Sequence, residues 1–79
     1  MMDSKQLALV YLMEEANRMA GVCTRNVHAI DKKKTLTDLE RQMGVLFSAM
    51  REVAEEFKLD ENSVQNSAEQ EYQSRINSK

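Results

Sequence analysis

The sequence contains no proline and no tryptophan, only two glycines, one cysteine, two tyrosines and two phenylalanines. With no proline, and with glycine only at positions 21 and 44, few positions oblige a helix to break. The lone Cys23 has no partner for an internal disulfide, which fits a reducing compartment, and the cytoplasm is the expected location. A formal net charge of -2, from 11 basic and 13 acidic residues, is too small for a non-specific nucleic-acid binder, so no nucleic-acid partner is expected. The longest apolar run, residues 7–13, stops at Glu14 and Glu15, far short of the roughly 20 residues that span a bilayer. It lacks the pattern of a cleaved signal as well, so no membrane partner is expected.

What the chain does have is a helix-forming palette: Ala, Leu, Met, Glu, Gln, Lys and Arg dominate. The expected class is all-α. Seventy-nine residues make one domain at most, and so short a chain buries too little core to be comfortable alone, which favours self-association.

Ser4 is expected to cap a first helix over residues 4–27, because Leu9, Leu12, Ala16, Met19 and Cys23 recur in steps of three and four. A second row, Val10, Met13, Ala20 and Val27, widens the stripe. Residues 28–35, "HAIDKKKT", interrupt the periodicity and read as the connection. A second helix is expected over 37–57, with Thr37 and Glu40 as a capping box and Leu39, Met43, Leu46, Met50, Val53 and Phe57 as its apolar row. Asp60 can cap a third helix over 61–76, whose thin stripe of Val64, Ala68, Tyr72 and Ile76 suits docking along one edge. Gly44 interrupts a strong helical pattern at a cost of about 1 kcal/mol, and a close crossing of helices is the packing reason expected for it.

Residues three apart on a helix face the same way, so acidic pairs on two facing helices can complete the oxygen shell of a hard cation. "EEANR" at residues 14–18 and "QMGV" at residues 42–45 stand in such a frame. In these segments the chain resembles the MazG-like all-α nucleoside triphosphate pyrophosphohydrolases, whose motif is Glu-Glu-x-x-Glu followed by Glu-x-x-Asp. The resemblance runs from about residue 9 to residue 76 and takes in Arg25 and the charged final helix. It implies a helical hairpin plus a third helix, assembled by oligomerisation into a four-helix core. The family's ligands then fall on Glu15, Arg18, Gln42 and Val45, beside Glu14. Of these four only Glu15 is still a carboxylate; Gln42 keeps a neutral oxygen, Val45 offers none, and Arg18 sets a positive charge where a cation would sit. From spacing alone, Glu14 and Arg18 also make an ordinary solvated i,i+4 ion pair, and both readings stand.

Other candidates are weaker in chemistry. Cys23 and His28 are five residues apart, which puts them on different faces of a helix, with no further ligand in evidence. Core packing for Cys23 and a favourable cation at a helix C-terminus for His28 are the readings preferred. Lys32, Lys33 and Lys34, with Arg25, can grip phosphates or be simply solvated. Met13, Met19, Met43 and Met50 suit core packing, or an adaptable groove for a partner.

The expected function is therefore non-catalytic and free of cofactors: a small regulator or decoy that self-associates and binds another protein, a variant that would fit a phage or mobile element. The alternative is a pyrophosphohydrolase with a rebuilt site, holding magnesium on Glu14, Glu15, Glu40 and Gln42 and phosphates on Arg18, Arg25 or Lys34. A third option is a metal-free nucleotide binder in which Arg18 replaces the ion.

Overall fold

The computed structural model describes residues 1–78 and, of Lys32, the backbone only. Among the described residues there are three helices and no strand: α1 (Ser4–Val27), α2 (Lys32–Glu56) and α3 (Glu61–Asn77). None of them is long and apolar enough to cross a membrane.

The N-cap of α1 is Asp3 rather than Ser4. Its carboxylate accepts the backbone N–H of Gln6 at 2.8 Å, and the Gln6 side chain accepts the N–H of Asp3 at 3.0 Å. This reciprocal capping box is open only to Asp3, because a cap at Ser4 would put Leu7 in the answering position. The start of α2 also differs from expectation. It lies at Lys32, capped by Asp31, so the connection is shorter than residues 28–35. Lysines are good helix formers, and the hydroxyls of Thr35 and Thr37 donate to the carbonyls of Asp31 and Lys33, inside the helix rather than at its cap. At the far end Leu59 N–H donates to Ala54 O at 2.8 Å and Lys58 N–H to Glu55 O at 3.2 Å, with Lys58 at φ 54°. This is a Schellman closure with lysine in the left-handed position that glycine usually takes. Asp60 caps α3, accepting from Asn62 N–H and from the Ser63 hydroxyl.

α1 and α2 pack as an antiparallel hairpin. Three contacts fix the pairing. At the turn, Asn26 Nδ2 donates to Thr35 O at 3.2 Å; in the middle, Gln42 Nε2 donates to Glu15 Oε2 at 2.9 Å; at the open end, Lys5 Nζ lies 5.9 Å from the Phe57 ring centre. Along the seam α1 turns inward Ala8, Leu12, Glu15, Met19, Val22 and Asn26. Facing them on α2 are Thr35, Leu39, Gln42, Leu46, Ala49 and Val53. Both rows follow the four-three alternation of a helical seam, and both have a polar residue at the centre.

The hairpin has two unlike sides. Seen from one end, successive residues turn clockwise on one helix of an antiparallel pair and anticlockwise on the other. One step past the seam therefore leads to the same side on both helices. On α1 that step gives Leu9, Met13, Ala16, Ala20, Cys23 and Val27, all exposed; on α2 it gives Leu36, Glu40, Met43, Phe47 and Met50, exposed, and Ala54, buried. One step before the seam come Leu7, Tyr11, Glu14, Arg18, Gly21 and Arg25 on α1, and Lys34, Asp38, Arg41, Val45, Ser48 and Glu52 on α2. The first side is mostly apolar and the second mostly charged.

α3 is set apart from the hairpin, and no residue of it is buried, so the edge docking expected of its stripe does not occur within the chain. Its first turn stands beside the apolar side at the end of α2, where Phe47, Met50, Arg51, Ala54, Glu61 and Val64 line a groove of about 290 Å³. Arg51 Nε lies 3.5 Å from Glu55 and 3.9 Å from Glu61, tying the two helices across the groove. Gly44 is exposed on the outer face of α2 with nothing within 4 Å of an added Cβ, so no close crossing accounts for it. The molecule is extended: its radius of gyration is 15.0 Å, against roughly 11.6 Å for a compact chain of this length.

Candidate functional site

Glu15 lies at the centre of the seam and is 3% exposed. Its Oε1 accepts from Arg18 Nη1, one turn further along α1, and its Oε2 accepts from Gln42 Nε2 across the hairpin. The same Gln42 nitrogen lies 3.3 Å from the Glu15 backbone carbonyl. Both oxygens facing Gln42 are acceptors, so its amide must present nitrogen to Glu15 and turn its own oxygen away. Three of the four positions on which the resemblance places ligands thus meet in one cluster. Val45, half-buried, falls three residues after Gln42 on the charged side, where Arg18 also lies.

The ion pair formed by Arg18 is with Glu15 and not with Glu14, which is exposed. The physical cause is burial. A carboxylate withdrawn from water needs a counter-charge and donors far more than its solvated neighbour does. Arg18 reaches inward to supply one while most of its side chain stays exposed.

Of the residues proposed for phosphates, Arg18 is in this cluster, while Arg25, Lys33 and Lys34 are not. Arg25 shares the charged side with Arg18, but it lies ten residues beyond Glu15, about 15 Å along the helix. Lys33 and Lys34 are exposed in the first turn of α2, and the side chain of Lys32 lies outside the described residues. His28 is the C-cap of α1, and Cys23 is exposed on the apolar side rather than in the core. Of the methionines expected in the core, Met19 is half-buried while Met13, Met43 and Met50 are exposed on the apolar side.

Asn26 was not legible as a structural residue. Its Nδ2 donates to Val22 O within α1 and to Thr35 O across the turn. The only signal for it is its place in the seam series, which becomes visible once Glu15 is admitted to that series as a buried residue.

Chemically the cluster is closed. Each Glu15 oxygen has a donor, and a cation approaching it would have to displace Gln42 and face the Arg18 guanidinium. The fold and this centre define an all-helical chain built on an antiparallel hairpin with a buried, internally neutralised carboxylate. In comparisons with protein-family models, with curated proteins and with solved structures, nothing matches this chain.

Proposed function

We propose that this chain is a non-catalytic MazG-like binding module, a small cytoplasmic regulator or decoy that self-associates into a four-helix core and engages another protein through helix faces. The observation that carries this reading is the occupancy of Glu15. The one carboxylate remaining among the aligned ligand positions is held by Arg18 and Gln42, in the places where the family motif has two further acidic ligands. Replacement of acids by an Arg and a Gln turns a cation cradle into a self-satisfied polar layer, which needs neither metal nor substrate. The exposed apolar side of the hairpin supports association as the working mode.

Calorimetric titration with magnesium, and with the common nucleoside triphosphates with and without magnesium, tests the reading. The expected result is no heat of binding and no pyrophosphate release above background. Turnover that is lost in Glu15→Ala would establish a rebuilt pyrophosphohydrolase instead. Metal-independent nucleotide binding that is lost in Arg18→Ala would establish a nucleotide binder.

A further inference from the structure

A domain is stable when at least two layers of secondary structure enclose a core. Here α1 and α2 make one layer, and its apolar side is covered among the described residues only where α3 begins. The surface area measures what is missing. The chain exposes 6676 Å², whereas a compact monomer of 9.1 kDa exposes roughly 4,900 Å². The excess is about 1,800 Å² per chain, part of it from α3, no residue of which is buried, and twice that figure falls within the roughly 2,000–5,000 Å² buried by obligate dimers.

The apolar side also has a shape. Ala16 and Ala20 make its centre low, which lets another helix approach closely. At one end the groove between α2 and α3 is a hollow lined by Phe47, Met50, Ala54 and Val64, with Arg51, Glu61 and Gln65 completing it. At the other end, the hairpin turn is a projection: Ile30 is fully exposed, with Val27 and Leu36 exposed beside it. By helical position Val27 and Leu36 lie on the apolar side at the end opposite the hollow. Two copies stacked with the same ends together would set α3 against α3 and leave both turns without a hollow. Stacked with opposite ends together, about a two-fold axis near the level of Glu15 and Gln42, each turn reaches the hollow of the other copy.

We infer that the apolar side is the docking site of a second copy of this chain, stacked with opposite ends together, so that Val27, Ile30 and Leu36 of each copy fill the α2–α3 groove of the other. The inference deepens the self-association proposed above and rests on it. The two copies supply four helices to one core, and the contact is isologous, so it closes at a dimer.

Disulfide trapping tests the arrangement. In a Cys23→Ala background, Ile30→Cys and Val64→Cys are introduced together and separately. Within one chain the two positions are separated by nearly the length of α2, about 30 Å or more at 1.5 Å per residue, and no disulfide bridges them. Mild oxidation of the double variant at micromolar concentration is expected to double the mass on a non-reducing gel, whereas neither single variant cross-links. Cross-linking of Ile30→Cys alone would place the turns together and overturn the arrangement. Light scattering of the unmodified protein separates the two levels of the idea. A single-chain mass would overturn self-association itself. A dimer whose double variant does not cross-link would overturn only the opposite-ends stacking. Phe47→Glu, at a side chain exposed in the single chain, is expected to lower the mass to one chain while leaving the helical spectrum in place; an unchanged dimer would reject the face.

Discussion

The side-chain amide of Gln42 lies 2.9 Å from the Glu15 carboxylate and 3.3 Å from the Glu15 backbone carbonyl, joining α2 to α1 at the middle of the seam. Two polar residues facing each other in an otherwise largely apolar interface make each the condition for burying the other. Glu15→Leu takes the carboxylate from the Gln42 amide and leaves it only the longer contact to the backbone carbonyl, and Gln42→Leu removes a donor from a buried carboxylate. Each single change is expected to lower stability by about 1–3 kcal/mol. The double change, two leucines packed in the seam, is expected to recover most of that loss. Urea denaturation at one fixed protein concentration, analysed as a double-mutant cycle, reads the coupling; additive losses would show that the pair does not act as a unit.

Introducing the acidic set that the resemblance implies reverses the present balance. Arg18→Glu, Gln42→Glu and Val45→Asp together surround Glu15 with like charge, so the variant should melt below the parent in the absence of metal. Magnesium or manganese should raise its melting temperature by mass action on the folded state and leave that of the parent unchanged. A folded variant indifferent to both cations would mean that these four positions do not form the ligand frame the resemblance implies.

Gly44 occupies a helical position where an added methyl group meets nothing within 4 Å. Gly44→Ala should therefore stabilise the protein by about 0.5–1 kcal/mol, through the reduced entropy of the unfolded chain. The gain should appear as a higher denaturation midpoint at constant m-value, with assembly mass unchanged, because residue 44 lies on the outer face of α2.

Lys58 presents the converse case, a side-chain-bearing residue at φ 54° closing α2. Lys58→Gly removes the steric cost of that conformation and keeps both closing hydrogen bonds, so stability should rise by up to about 1 kcal/mol. Lys58→Val should lower it, since a β-branched residue tolerates the left-handed region least. A pair of denaturation curves distinguishes the signs.

The sequence by itself determined that the chain is helical: no proline, sparse glycine and three segments rich in helix formers leave little else. Glu15, Arg18 and Gln42 came together as candidates only through the resemblance; spacing alone offered a Glu14–Arg18 pair, whereas Arg18 pairs with Glu15. What the sequence left undecided was the seam. The apolar residues of α1 and α2 outnumber the positions one hairpin can cover, and the series with the most hydrophobic members, including Leu9, Met13, Met43 and Met50, is largely on the exposed side. The seam takes Leu12, Met19, Leu39, Leu46 and Val53 from the expected rows, adds Ala8, Val22 and Ala49, and has Glu15 and Gln42 at its centre. Small residues there let the two helices approach, and the carboxylate and amide satisfy each other only when they face across the interface. Both conditions are relations between distant parts of the chain. Only the tertiary structure could bring them together, leaving Leu9, Met13, Met43, Phe47 and Met50 on the outer, apolar side of the hairpin.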